Sequence, residues 1–175
     1  MAIIAKGKSK DFTPAPEGLH RAVCVDVVNL GLVEGQYGVK HRVRIYWQIK
    51  EKMDSGKPFL VGKTYTLSLH KKSSLRPDLE SWRGRPFTEV EAEGFDLEKL
   101  LGANCQLNLM HTSKDGETYA NVQAIVPAPK EMMPLKPEDY IRKCDRDDWV
   151  EPKGGEAQPQ ESDSYEGEPE ETVPF

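Results

Sequence analysis

No stretch of 18 apolar residues occurs in the 175-residue chain, so no membrane-spanning helix is expected. The opening "MAIIAKGKSKDF" has only five apolar residues before its charges and lacks the long apolar region of a signal peptide. Cysteine is scarce. Cys24, Cys105 and Cys144 form no CxxC pair, and an odd, scattered set argues for reduced thiols in a cytoplasmic protein rather than a disulfide framework. Catalytic signatures are missing too: there is no GxSxG, no HExxH and no phosphate-cradling GxxxxGK[ST]. His20, His41, His70 and His111 share no metal-ligand spacing with the cysteines, so no metal and no cofactor are expected. The acids of "TEVEAEGFDLE" read as a solvated face, and His111, on the apolar side of its strand, reads as a structural histidine. The expectation is a protein without enzymatic activity.

The last part of the chain lacks core-forming residues altogether. Between Val150 and Val173 there is no Ile, Leu, Met, Val, Phe or Trp. Charge divides at the same region. Through Lys143 there are 22 Lys and Arg against 18 Asp and Glu, a net of +4; beyond it there are 2 against 11, a net of −9. A segment this acidic and rich in Pro and Gly cannot bury enough apolar surface to offset its ordering entropy, so 151–175 is expected to be disordered. Residues 1–18 read as a flexible arm, 19–128 as the folded domain and 129–150 as a Pro-punctuated connector.

What is present in the body reads as short strands. "HRAVCVDVVNL" is dense in β-branched residues, as expected of a strand buried on one face or both. "VKHRVRIYWQIK" alternates strictly: Val43, Ile45, Trp47 and Ile49 share one side, and Lys40, Arg42, Arg44, Tyr46 and Gln48 the other. "FLVGKTYTLSLH" continues the alternation. Then the period changes. Leu75, Leu79 and Trp82 make a helical stripe behind Ser73 or Ser74 as cap, with Pro77 confining that helix to a few turns. "DLEKLLG" gives a second short helix between Asp96 and Gly102. "NCQLNLMHT" and "TYANVQAIV" form a closing hairpin about the "KDGE" turn. Three strands, a helical insert and two strands is the element order of an OB-fold, a five-stranded partly open barrel, so the fold class expected is all-β.

One surface carries chemistry. From Lys40 to Gln48 the outward row holds three cations, a tyrosine and no acid. Residues two apart on a strand project together roughly 6.6 Å apart, close to the phosphate spacing of an extended nucleic-acid strand. Cations interleaved with aromatic rings suit single-stranded nucleic acid, because the cations attract the backbone while the rings stack on bases. Lys40, Arg42, Arg44 and Tyr46 are therefore the candidate binding row. Lys71 and Lys72 from the end of the third strand, and Arg76, Arg83 and Arg85 from the insert, extend it. Tyr37, in the loop between the first two strands, and Tyr119 are further stacking candidates. Trp47 and Trp82 are assigned to the core.

The acidic tail ending in Val173, Pro174 and Phe175 resembles the C-terminal tip of bacterial-type single-stranded DNA-binding proteins. The body, notably "ESWRGRPFTEVEAEGFDLEKLLGANCQLNLMH", resembles phage-encoded single-stranded DNA-binding proteins with an OB-fold. The insert before the fourth strand is longer than in the bacterial protein, and the tip has fewer consecutive acids. The resemblance implies a protein of the host cytoplasm that coats single-stranded DNA during replication, recombination and repair. It also implies that polymerase, helicase or recombinase partners are recruited through the tip. Phe175 offers a ring and a carboxylate at one position, which suits an apolar pocket rimmed by Arg or Lys.

Overall fold

The computed structural model describes residues 13–152. The tail expected to be disordered, and with it Val173, Pro174 and Phe175, lies outside the described residues, as does most of the N-terminal arm. Five strands, β1 (Gly18–Gly35), β2 (Gly38–Lys52), β3 (Pro58–Thr66), β4 (Asn104–Lys114) and β5 (Glu117–Pro127), form one antiparallel sheet in the order β3-β2-β1-β4-β5. Between β3 and β4 come α1 (Leu75–Arg83), α2 (Glu89–Glu93) and a 3₁₀ turn at Leu97–Leu100. The edge strands β3 and β5 approach each other without pairing, so the sheet is not closed.

The inward row of β2 is the centre of the core. Val43, Ile45, Trp47 and Ile49 are buried against Ala22, Cys24, Leu107 and Ile125 of the neighbouring strands. The stripe Leu75, Leu79 and Trp82 seats α1 on this core. The rings of Trp47 and Trp82 meet at 5.8 Å with a 54° tilt, and the Trp82 indole N–H donates to the Asn104 carbonyl at 2.9 Å. Both tryptophans are core residues, as the alternation and the helical stripe require. Burial holds the Cys24 thiol up at about 12, which leaves it a protonated packing group.

Local chemistry accounts for most boundaries. The β4–β5 hairpin turns through Asp115 and Gly116, both at positive φ, the geometry of a two-residue hairpin that "KDGE" supplies. Asp96 caps the 3₁₀ turn by accepting from Glu98 N at 2.9 Å. Thr88 and Glu91 form a reciprocal capping box, which makes a short helix within the acidic segment "TEVEAEGFDLE". Ser74 stands at the cap of α1 without a side-chain bond, while Ser73 Oγ accepts from Arg76 N at 3.4 Å. β3 stops at Thr66 instead of running on to His70. The Ser68 N–H turns back to the Thr66 carbonyl, and Leu67 and Leu69 drop onto the core.

Residues 133–149, expected as part of a connector, lie as a strap on the outer face of the sheet. Leu135 and Asn104 exchange two hydrogen bonds, Glu138 and Gln48 exchange two more, and the Met133 carbonyl accepts from Arg21. This is why β1 is buried on both faces: Val23, Val25, Asp26 and Val28 are covered as well as Ala22 and Cys24. Pro14 to Glu17 of the arm are also tied down. Ala15 enters the core, its carbonyl contacts His111 Nε2 at 2.6 Å, and Glu17 accepts from His111 N at 2.8 Å. His111 is thus a hydrogen-bonded structural residue.

Candidate nucleic-acid interface

The outward row of β2 is built as its alternation requires, and threonine hydroxyls hold its two arginines. Arg42 donates to Thr66 Oγ1 at 3.0 Å and Arg44 to Thr64 Oγ1 at 2.8 Å, each across the β2–β3 pairing. Among the described residues, no carboxylate forms an ion pair with Lys40, Arg42 or Arg44. Hydroxyl partners orient a guanidinium without neutralising it, so the charge stays available to a phosphate.

Arg44 also lines a groove of about 380 Å³ at the unpaired seam. Its β3 wall includes Leu60, Gly62 and Thr64; its β5 wall includes Tyr119 and Asn121. On β5 the side chains alternate, with Ala120 and Val122 packed on the core and Tyr119 and Asn121 outward. Tyr119 is 39% exposed, and its hydroxyl donates to Glu117 at 2.5 Å, a bond that raises its pKa by favouring the protonated phenol. A cation on one wall and an exposed ring on the other match what a phosphate and a base need of a single groove.

Tyr37 is 81% exposed at the tip of the β1–β2 hairpin, with the Lys40 ammonium 5.8 Å from its ring centroid. Lys71 and Lys72 are exposed beyond the end of β3, and Arg85 is exposed after α1. Arg76 and Arg83 are spent on the insert itself. Arg76 pairs with Glu80 at 2.8 Å and donates to the carbonyls of Leu69 and Phe87. Arg83 pairs with Glu91 at 2.9 Å over the Phe87 ring, and its side chain is only 3% exposed. The Arg83 hydrogen bond draws the Glu91 carboxyl down to about 2, and Arg76 lowers Glu80 likewise. Arg76 ties α1 to the segments on either side of it and Arg83 ties α1 to α2, so neither is part of the open cationic row.

No sequence signal singles out Lys143. This residue comes from the strap and donates from Nζ to Tyr46 Oη at 2.6 Å, with the ammonium 4.6 Å from the ring centroid. The strap is pinned there by Asp26, fully buried on β1. Asp26 accepts from Tyr140 Oη at 2.9 Å, Arg142 Nε at 3.2 Å and Lys143 N at 2.8 Å. Arg142 reaches on to Glu98 with two 2.8 Å bonds. An acid in the middle of "VCVDVVNL" was the available signal, because a buried carboxylate requires partners from elsewhere in the chain. Among the described residues no three His, Cys, Asp or Glu side chains cluster as a metal site, and no helix is long and apolar enough to cross a membrane.

Comparison with protein-family models and with curated proteins finds no match to this chain.

Proposed function

We propose that this chain is a non-catalytic OB-type protein that binds single-stranded DNA without strong sequence preference. In this reading it serves replication, recombination or repair of the phage type and recruits partner proteins through Val173, Pro174 and Phe175. The observation that carries the reading is the Arg42 and Arg44 row, oriented by hydroxyls and in no ion pair among the described residues, opening onto a groove that also holds the exposed ring of Tyr119. The strand order, with β1 paired to both β2 and β4 and the helices between β3 and β4, supports the OB-type assignment. Fluorescence-anisotropy titration of oligo-dT, oligo-rU and duplex DNA at several salt concentrations tests it. Tight, salt-sensitive binding of the single strands over the duplex is expected; equal or absent binding overturns the reading.

A second reading has its own observation. Beyond Arg42 the β1–β2 hairpin pairs with neither β3 nor β4, and Leu32, Val33, Tyr37 and Val39 are exposed on it. An apolar ribbon of this kind suits a protein partner, and the chain would then be an adaptor that binds protein through its sheet domain. Partner capture that persists when strand binding is absent favours this alternative.

A further inference from the structure

Tyr46 lies in the cationic row, yet its ring is already occupied. Gly62 stands directly opposite it in the β2–β3 pairing, and a Cβ there would lie 2.9 Å from both Tyr46 Cδ1 and Arg44 Nε. The absence of a side chain at Gly62 lets ring and guanidinium settle against the β3 backbone. Two cations approach the ring, the Arg44 guanidinium at 5.1 Å from its centroid and the Lys143 ammonium at 4.6 Å, the latter at the hydroxyl end where it donates to Oη.

Two like charges gathered on one aromatic ring repel each other, and the ring's quadrupole and phenol oxygen offset that repulsion only in part. Nearby acid does not complete the balance. Asp26 accepts from the Lys143 backbone N–H and shares the Arg142 guanidinium with Glu98, so these two acids leave one positive charge unmatched among Arg44, Arg142 and Lys143. Among the described residues neither Arg44 nor Lys143 is in an ion pair. What the arrangement lacks is an anion. Arg44 offers the planar fork that matches phosphate oxygens, and Lys143 offers a point charge at the same ring.

We infer that Arg44 and Lys143, set in place by Tyr46, form a clamp for one phosphate of the strand's backbone. Tyr46 is then a positioning residue and not a base-stacking platform, and Asp26 acts further back by fixing the strap that delivers Lys143. This inference rests on the strand-binding reading. It adds a residue from outside the sheet to the interface and reverses the role that the sequence row assigns to Tyr46.

The test uses the full chain and two labelled probes of equal length: oligo-dT, and an abasic deoxyribose-phosphate oligomer that carries phosphates without bases. Lys143→Gln and Tyr46→Leu are expected to weaken both probes by a similar factor. Loss of one phosphate contact on a single strand flattens the log K against log[salt] slope by about 0.7, roughly fivefold in affinity at 0.1 M salt. Tyr46→Phe keeps the ring and removes only the hydroxyl that Lys143 holds, so it controls for misfolding and should show a smaller loss, again on both probes. If Tyr46→Leu weakens oligo-dT while abasic binding and the salt slope stay unchanged, Tyr46 stacks on bases; the clamp is overturned and the strand-binding reading survives. An unchanged affinity for both probes in Lys143→Gln also overturns the clamp. If the unsubstituted protein binds neither probe, the strand-binding reading falls and the clamp falls with it.

Discussion

Arg44 of β2 and Tyr119 of β5 line one groove at the unpaired seam of the sheet, although more than half of the folded domain separates them in sequence. The relationship follows from topology. β2 and β3 lie at one end of the strand order and β4 and β5 at the other, and curvature of the sheet brings the two edges together. The two residues therefore invite separate tests, one electrostatic and one of stacking.

The electrostatic test is the double substitution Arg42→Ala with Arg44→Ala. If the protein neutralises about 4–6 phosphates, log K falls against log[salt] with a slope of roughly −3 to −4. Removing two cations should flatten that slope by about 1.4 and weaken binding at low salt. An unchanged slope in the double mutant places the strand on another surface.

Tyr119→Ala probes the other wall. A ring that stacks on a base contributes about 1–3 kcal/mol, so affinity for oligo-dT should fall between several-fold and a hundredfold. The salt slope should stay the same, because no charge is lost. A flattened slope with little loss of affinity would show that Tyr119 acts through its neighbours and not as a stacking ring.

The strands, their inward faces and the outward row of β2 were legible because a period of two is written directly into the side chains of "VKHRVRIYWQIK". Trp47 follows from the same period, and Trp82 from the helical stripe it shares with Leu75 and Leu79. The strap was not legible. Its hold on the sheet comes from single long-range partners (Asn104, Gln48 and Asp26), and such pairings leave no period in "PLKPEDYIRKC". Arg83 misled for the converse reason. A cation in a polar helix reads as exposed, and only the tertiary contact with Glu91 and Phe87 shows that it is enclosed.

Arg83 should accordingly matter to stability and not to strand binding. Arg83→Met removes a nearly buried partner of Glu91 and is expected to destabilise the fold by about 1–3 kcal/mol, with the salt slope of DNA binding intact. The pair also sets an acid response. The Glu91 carboxyl titrates at about 2 in the fold against an ordinary value of 4.5. A lowered folded-state pKa gives stability that is complete above the ordinary value and lost as pH falls toward 2. Thermal midpoints should therefore drop between those limits, and Glu91→Gln should remove part of that drop. A pH profile unchanged by Glu91→Gln would show that the pair contributes nothing to acid stability.

The strap bears on how the tail is tested. Lys143 packs on Tyr46, so the segment that begins at residue 153 is tethered ten residues beyond a contact with the basic row. Residues 153–175, which lie outside the described residues, carry seven acids and one lysine. An acidic segment tethered beside a basic face competes with DNA, most strongly at low ionic strength, where screening is weakest. Removing 153–175 should tighten strand binding at low salt and have little effect at high salt. The cut leaves the Asp26 anchor and Lys143 untouched, which a cut at Cys144 would endanger. Weaker binding after this truncation would mean that the tail assists the strand instead of competing with it.

Gly62 gives the sharpest structural test of the row. Its φ lies outside the left-handed region, so alanine is compatible with its backbone, and the unfolded chain would lose entropy in favour of the variant by about 0.4–1 kcal/mol. Against this, the new Cβ would stand 2.9 Å from the Tyr46 ring and from Arg44 Nε. Contacts that short force a shift, and the ring must lift from the β3 backbone and carry both cations with it. Gly62→Ala should therefore leave the thermal midpoint within a few degrees of the unsubstituted protein while weakening strand binding several-fold. If affinity is unchanged at equal stability, the close seating of Tyr46 and Arg44 on β3 has no part in binding. If affinity and stability collapse together, Gly62 is a packing requirement of the sheet itself.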